Sequence, residues 1–395
     1  MRRTLLLLTA LSLTACSTMD VVKDSMSGIS DYFLGGEDNA EPPAALTEYK
    51  AEVEIEKLWS ASTGVGAGEQ TVKLAPAIHA QKIITADREG LVQGRHTQTG
   101  DKIWEVETEM RLSGGVGLGN ETVILGSSNA DVIALNSDTG EQRWAIKVSS
   151  EVLAIPAVAK GIVIVRTTDG TVTALSEQTG AKLWSYEHAV PALSIRGAGA
   201  PLIVENKVIA GYDNGKMVAL DLKNGKHVWE TTISIPKGRT EVERLVDLDV
   251  DPLELNDVIY VASYRGGVAA ISAADGDAMW RNENISSHSG LSNDFRYLYL
   301  SDSKSHVWQV DQHSGGGLWQ QKDLNHRRLT APATYQNYVV VGDFEGYVHW
   351  LSSTDGRQLG RIQVTDTPIE NKPVIIDDVV YVYAKDGSIA ALKAR

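Results

Sequence analysis

A recurring pattern that spans most of the chain constrains its fold more than any other feature. Four clear copies are ADVIALNSDTGEQRW (130–144), GTVTALSEQTGAKLW (170–184), GKMVALDLKNGKHVW (215–229) and GGVAAISAADGDAMW (266–280). Weaker copies occupy 90–104, 305–319 and 346–360, and the chain ends in a truncated eighth copy, GSIAALKAR (387–395). Repeats spaced about 40–50 residues apart are typical of solenoids and propellers.

Each copy has the composition of a β-hairpin. A short alternating apolar stretch such as Val132-Ile133-Ala134-Leu135 predicts a strand, and a turn with Gly at a fixed place follows it. Gly there predicts a positive φ in a tight turn. These turn glycines are Gly100, Gly140, Gly180, Gly225, Gly276, Gly315 and Gly356. A Trp stands four residues later in six copies, and Gly360 replaces it in the seventh.

The repeats predict an all-β fold, an eight-bladed β-propeller of four-stranded antiparallel blades. The last copy stops after its third strand, and the N-terminal segment VEIEKLWS (53–60) can supply the fourth and close the ring. An open tandem solenoid is the alternative architecture. We expect the repeat Trp to bridge adjacent blades while its N–H finds a local acceptor. The structural tryptophans are then Trp59, Trp104, Trp144, Trp184, Trp229, Trp280 and Trp319.

The N-terminus reads as a secretion signal that ends in a lipid-attachment site. Two arginines precede a short apolar run that ends in Leu13-Thr14-Ala15-Cys16, and Cys16 is the one cysteine of the chain. This ending resembles the bacterial lipobox, which implies cleavage before Cys16 and acylation of its thiol. Ser17 after the cysteine implies the outer membrane. We therefore expect a signal peptide at 1–15, a lipidated tether at 16–52 and the propeller at 53–395.

Composition excludes several classes of protein. One cysteine supports neither an internal disulfide nor a Cys-based metal site, and a net charge of −14 disfavours nucleic acid as a partner. Asp247, Asp249 and Asp251 alternate as in a calcium loop, but Pro252 and Val258 replace the Gly and Glu of an EF-hand. We expect no catalytic residues, no metal and no cofactor.

The Trp-bearing repeat is similar to the tryptophan-docking repeat of quinoprotein (PQQ) dehydrogenases. Together with the lipobox and the mature length, it resembles the BamB family, the propeller lipoproteins of the outer-membrane β-barrel assembly machinery (the BAM complex). The strings Leu193-Ser194-Ile195-Arg196-Gly197 and Arg244-Leu245-Val246-Asp247-Leu248-Asp249 strengthen the resemblance. It implies a non-catalytic scaffold that docks on the POTRA domains of BamA and aids insertion of β-barrel proteins, with nascent outer-membrane proteins as further partners.

Two long connections point to the docking site. The connection from each Trp to the Gly that begins the next copy differs in length. It is 26 residues from Trp144, but 31 from Trp184 and 37 from Trp229. Long loops on a rigid scaffold commonly carry function, and both lie on the face opposite the Gly turns. Carried over from the family, the BamA contacts are Leu193, Ile195, Arg196, Asp247 and Asp249. The family usually has Leu at the position of Ile195. From the residues alone, the apolar pair could equally be strand core, with Arg196 paired to an acid to tie blades together.

Two other functions remain open at this point. A periplasmic quinoprotein-like oxidoreductase would need PQQ and calcium held by carboxylates. A cell-wall or sugar-binding propeller would use exposed aromatic side chains such as Tyr264 or Trp350.

Overall fold

The computed structural model describes residues 41–191, 197, 199–235 and 246–395. The chain divides into two compact units, Met1–Pro43 and Ala44–Arg395. The predicted signal peptide and Cys16 lie outside the described residues, and every regular element within them is a β-strand.

The strands form eight sheets, in which all pairs but one short parallel pair are antiparallel, and each sheet corresponds to one sequence repeat. The strands of the first half are β1 (Ile55–Ser62), β2 (Lys73–Leu74), β3 (Ala77–His79), β4 (Lys82–Ala86), β5 (Leu91–His96), β6 (Lys102–Glu107), β7 (Leu112–Leu118), β8 (Thr122–Ser127), β9 (Asp131–Asn136), β10 (Gln142–Lys147), β11 (Ala157–Ala159), β12 (Ile162–Arg166), β13 (Thr171–Ser176), β14 (Lys182–Glu187), β15 (Leu202–Val204), β16 (Lys207–Gly211), β17 (Lys216–Asp221) and β18 (His227–Thr232). Those of the second half are β19 (Leu253–Leu255), β20 (Val258–Ser263), β21 (Gly267–Ser272), β22 (Ala278–Asn282), β23 (Leu291–Asn293), β24 (Tyr297–Ser301), β25 (Val307–Asp311), β26 (Gly317–Gln321), β27 (Ala333–Tyr335), β28 (Tyr338–Gly342), β29 (Tyr347–Ser352), β30 (Gln358–Gln363), β31 (Val374–Ile376), β32 (Val379–Tyr383) and β33 (Ser388–Ala394).

The sheets are the blades of an eight-bladed propeller. Blades I to VII are the successive groups β3–β6, β7–β10, β11–β14, β15–β18, β19–β22, β23–β26 and β27–β30, and blade VIII has the order β1-β33-β32-β31. Since the strands alternate in direction, the turns with the repeat glycines all lie on one face, which we call the hairpin face. Connections from the fourth strand of one blade to the next blade lie on the other, which we call the linker face.

The N-terminal strand closes the ring, as the sequence predicted. Strand β1 pairs antiparallel with β33, from Ile55 opposite Ala394 to Ser62 opposite Ser388. Blade VIII therefore combines both ends of the propeller, and its third strand gains the partner that the truncated repeat lacks. The closed ring excludes the open solenoid, because a solenoid would leave the edge of β33 unpaired.

The seven predicted tryptophans dock between blades in the same way. Each indole Nε1–H donates to a backbone carbonyl of the next blade, over 2.7–3.3 Å. The acceptors, in order from Trp59 to Trp319, are Thr97, Ser137, Glu177, Leu222, Ala273, Gln312 and Ser353. Each of the seven indoles therefore lies between two adjacent blades and has a backbone acceptor in the next one.

The turn glycines meet two requirements at once. Their φ angles are 70–78°, a region that favours Gly. A Cβ on any of them would also lie within 2.8 Å of the preceding blade's docked indole, as at Gly225 against Trp184. The Gly of one repeat and the Trp of the previous repeat therefore form one packing unit, although they are far apart in sequence.

Blade VII lacks the docked Trp because its neighbour lacks the turn. In blade VIII the third and fourth strands come from opposite ends of the propeller and are not joined by a turn. Blade VIII therefore has no turn Gly to pack under an indole and no turn carbonyl to accept from one. Gly360 stands at the Trp position. A Cβ there would contact the carbonyl oxygen of Val53 and the side chain of Ile55. Trp350 lies directly across the ladder from Gly360 and is fully buried. Its burial excludes it as an exposed sugar-binding platform.

A segment without regular secondary structure, residues 44–54, lies against blade VII and the linker that precedes it, and we call it the strap. Its first residue, Ala44, donates to the carbonyl of Asn325 (2.8 Å) and accepts from Arg327 Nη1 (3.0 Å). Farther along, Thr47 O accepts from Arg361 Nη1 (2.9 Å). Sequence reasoning assigns residues up to 52 to a tether, whereas the compact unit already begins at Ala44.

The Trp–Gly unit predicts unequal effects of two Gly→Ala changes. Gly225 and Gly161 both have positive φ (70° and 76°), but only Gly225 lies under an indole, since a Cβ on Gly161 meets nothing within 4 Å. Gly161→Ala should cost about 1–2 kcal/mol from backbone strain alone. Gly225→Ala should cost about 1–3 kcal/mol more, because Trp184 must move. Thermal denaturation of both variants checks this, and equal losses would contradict the packing unit.

Candidate docking site at the linker face

Two linkers flank blade IV on the linker face. Residues 188–201 connect β14 to β15, and residues 233–252 connect β18 to β19. Leu193, Ile195 and Arg196 lie outside the described residues. Asp247 and Asp249 are described, and both belong to the second linker. The structure therefore places the two acids and leaves the three first-linker candidates as predictions.

Asp247 lies inside the second linker rather than on an open rim. It is 2% exposed, and its neighbours Val246, Leu248 and Val250 are also buried. Leu248 packs against blade IV, where a Cβ on Gly211 would lie 2.8 Å from its side chain. Residues 246–250 of the second linker therefore belong to the packed body, and Asp249 is the one of these five that is only partly buried.

The two linkers pack directly against each other through glycine. A Cβ on Gly197 would lie 2.8 Å from Asp249 Oδ2, and one on Gly199 would lie 2.8 Å from the carbonyl of Leu248. Any larger residue at these positions would push the linkers apart. Asp249 therefore lies beneath the backbone that directly follows Arg196 in the sequence.

A buried ion pair between blades III and IV holds the first linker. Arg166, at the end of β12, is 3% exposed and donates from Nη2 to Asp213 Oδ1 at 3.1 Å. Its Nη1 donates to the carbonyl of Gly199 at 3.3 Å, and its guanidinium lies 5.3 Å from the ring centroid of Tyr212. One side chain of blade III thus holds a turn of blade IV and the first linker together. Removing one member of such a buried pair leaves an uncompensated charge.

Asp249 experiences an excess of negative charge. Burial, followed by the charge of Asp213, raises the pKa of its carboxyl from 3.8 to about 7, and Asp247 adds to the rise. Arg166 and Lys73 act in the opposite direction. Its Oδ1 is shielded from solvent and has no hydrogen-bond partner among the described residues. This carboxyl therefore changes charge near neutral pH.

A second ion pair joins distant blades near the centre of the ring. Lys73 lies on β2, a short fifth strand that pairs in parallel with β7 of blade II. Its ammonium pairs with Asp251, just before blade V. Asp251 Oδ1 also accepts the amide of Ala200 at 2.6 Å. The two linkers are thereby fixed to the sheet of blade II.

Sequence reasoning missed Arg166, Asp213 and Lys73. Arg166 had a detectable signal, because it ends the apolar run Ile162-Val163-Ile164-Val165 at a position where a charge must be buried or paired. Asp213 and Lys73 had none, since their roles depend on which blades lie side by side. In the part of the chain that the structure describes, no group of three or more His, Cys, Asp or Glu side chains is arranged to hold a metal ion. No helix among the described residues is long and apolar enough to cross a membrane.

The geometry defines a closed eight-bladed propeller of PQQ-like repeats with a charged, linker-built face. A family model described as outer membrane protein assembly factor BamB matches residues 88–321 and 307–395. The chain belongs to the BamB family.

Named relatives cover nearly the whole chain. An outer membrane protein assembly factor BamB from Pseudomonas aeruginosa is 47% identical over 354 residues, which are 90% of this chain and 93% of the relative. BamB of Escherichia coli is 38% identical over 344 residues, 85% of this chain and 88% of the relative. The crystal structure of BamB from Moraxella catarrhalis superposes with a TM-score of 0.78 at 29% identity, covering 86% of this chain and all of that one.

Quinoprotein enzymes share the fold at much lower identity. A quinohemoprotein alcohol dehydrogenase from Comamonas testosteroni has a TM-score of 0.66 at 14% identity, with 86% of this chain and 76% of the enzyme covered. Identity at this level shows a common propeller and nothing about chemistry. The predicted likeness of the repeats to quinoprotein propellers is confirmed as a likeness of fold.

The raised pKa of Asp249 predicts a pH-dependent stability difference. Ionisation of wild-type Asp249 costs stability as pH rises from about 4 to about 7, because the folded-state pKa lies above the unfolded value. Asp249→Asn avoids this cost, so its melting temperature should match wild type near pH 4 and exceed it at pH 8. At pH 8 the free energy of unfolding of Asp249→Asn should exceed that of wild type by on the order of 2–4 kcal/mol. Asp277→Asn, at an exposed turn, serves as the matched control, and a pH-independent difference would contradict the assignment.

Proposed function

We propose that this chain is an outer-membrane protein assembly factor. It acts as a non-catalytic scaffold of the BAM complex, docks on the POTRA domains of BamA and aids insertion of β-barrel proteins into the outer membrane. The observation that most strongly supports this proposal is the match to relatives named as assembly factors, at 38–47% identity over most of both chains. The enzymes of similar fold are only 12–14% identical, so no comparable observation favours an oxidoreductase.

The partner surface in this proposal is the outer side of the two linkers that flank blade IV. Leu193, Ile195 and Arg196 are the proposed contacts, since they directly precede the backbone that packs on Asp249. Asp247 and Asp249 support the linkers from within, because Asp247 is nearly inaccessible and Asp249 lies against Gly197. Among the three, Arg196 is the residue type enriched among energetically dominant interface residues.

The proposal includes a membrane anchor at the other end of the tether. Acylated Cys16 would hold the propeller at the outer membrane on its periplasmic side. Multiple acyl chains give stable membrane binding, which a single chain does not. Docking on BamA and lipid anchoring are then independent attachments, and each one can be removed without the other.

Reversal of one charge in the first linker tests the docking surface. Arg196→Glu should weaken binding to purified BamA POTRA domains at least tenfold, because a rim charge on this side would become repulsive. Lys226→Glu makes the same charge change on the hairpin face and should bind as wild type. Binding is measured by surface plasmon resonance, with melting temperatures confirming the fold. Undiminished binding by folded Arg196→Glu would overturn the interface.

Substitution of the cysteine tests the anchor. In cells lacking BamA docking, Cys16→Ala should move the protein from the membrane pellet to the soluble periplasmic fraction, because no acyl chain can be attached. Ser17→Ala leaves the cysteine in place and is the matched control. Fractionation and mass spectrometry of the mature N-terminus provide the measurement. Retention of Cys16→Ala in washed outer membranes, in cells lacking BamA docking, would exclude the lipid anchor.

A further inference from the structure

The turn between the third and fourth strands of blade IV differs in charge from the same turn of other blades. It contains Lys223 and Lys226 and is followed by His227, and all three side chains are exposed. The equivalent turns of blades II and V carry acids instead, which are Asp138, Glu141, Asp275 and Asp277. In a chain with a net charge of −14, blade IV therefore presents an unusual concentration of positive charge on the hairpin face.

The outermost strands of blades III and IV extend this surface with a third lysine and two apolar side chains. Trp184 of blade III docks on the turn of blade IV, where its indole donates to a backbone carbonyl at 2.9 Å. The two residues before it, Lys182 and Leu183, therefore lie beside that turn, and both are exposed, Leu183 to 49%. In blade IV, Val228 is 45% exposed. We use the name basic patch for Lys182, Leu183, Lys223, Lys226, His227 and Val228.

Among the described residues, none of the three lysines of the basic patch has an acidic partner. The acid of the blade IV turn, Asp221, uses its Oδ1 to accept the backbone amides of Lys223 and Asn224, at 3.0 and 3.1 Å. A lysine elsewhere in the same blade is paired, since Lys207 lies 3.9 Å from Glu205. The charges of the basic patch are therefore available to an anionic partner.

We propose that the basic patch contacts the headgroups of an anionic phospholipid membrane. Its lysines approach the lipid phosphates, and the side chains of Leu183 and Val228 enter the boundary between headgroups and acyl chains. Each lysine that reaches an anionic surface strengthens such a contact about fivefold, so three lysines together contribute about a hundredfold. Exposed apolar side chains among the lysines favour a membrane over an acidic protein, because a membrane offers negative charge and an apolar interior at one surface.

This inference rests on the proposed function, because the acyl anchor at Cys16 keeps the propeller next to a membrane. Residues 16–43 precede the compact unit, and a chain of 28 residues spans at most about 90–100 Å. The anchor alone therefore leaves the orientation of the propeller open. The basic patch selects one orientation, because an anionic surface attracts this part of the hairpin face and repels the acidic turns of blades II and V.

The basic patch leaves the proposed BamA surface uncovered. The lysine-bearing turn of blade IV lies on the hairpin face, whereas the two linkers that flank blade IV lie on the linker face. Contact with lipid and docking on BamA therefore use different residues, and both can form at the same time.

The test measures the reactivity of lysines in the acylated wild-type protein, anchored in vesicles of phosphatidylcholine alone or of an equal mixture with phosphatidylglycerol. Acetylation of Lys182, Lys223 and Lys226 by a neutral amine-reactive ester, followed by mass spectrometry, should be slower on the mixed vesicles by about threefold or more. Lys57 and Lys393 are exposed on blade VIII, across the ring from blade IV, and should react equally on both vesicles. High salt should abolish the difference, because it screens surface charge.

Serine variants test the apolar part of the contact. Leu183→Ser combined with Val228→Ser should reduce the protection of the three lysines, because these side chains no longer enter the membrane boundary. Leu58→Ser removes a 40% exposed leucine from blade VIII and should retain full protection. Melting temperatures confirm that the variants are folded. Full protection of the folded double variant would contradict the insertion of these two side chains.

Equal acetylation rates on the two kinds of vesicle would overturn the proposal. Protection that appears only on native outer membranes would overturn it as well, since an acidic protein would then be the partner. Wild type that carries no acyl group would count against the proposed function and, with it, against this inference. Acylated wild type that binds BamA but keeps the three lysines reactive on both vesicles would count against this inference alone.

Discussion

The fold depends on an interaction between residues about forty positions apart, the docking of a Trp on the turn glycine of the next blade. Each indole donates to a neighbouring carbonyl and covers a position where no side chain fits. The unit combines apolar burial, a hydrogen bond and a steric match. Because it recurs at seven of eight blade junctions, it holds each blade to the next one. The body can therefore vary its surface loops without losing the ring.

At the eighth junction, the docked Trp is absent where it would have no partner. With the turn replaced by the two chain ends, an indole would have neither an acceptor nor a glycine surface to cover. Gly360, Trp350 and the strap together provide a different solution.

Much of this architecture could be predicted from the sequence, because the determining residues recur in register. The eight blades, the closing strand around Trp59 and the special glycines follow from the repeat alone. The docking site was harder. The lengths of the linkers indicated the position of the site. Asp247, which the family resemblance makes a BamA contact, is buried. Arg166, Asp213 and Lys73 act through contacts between blades, and no local pattern records which blades meet.

The composition of blade VIII has a consequence for how the protein acquires its structure. Seven blades form from contiguous chain, so their strands meet after short searches. The closing pair brings together Ile55 and Ala394, nearly the full length of the propeller. Closing so long a loop costs about 5 kcal/mol of chain entropy, which is much more than for a hairpin. The ring can therefore close only after its last strand has been synthesised. Until then the edge of β1 that pairs with β33 is unpaired.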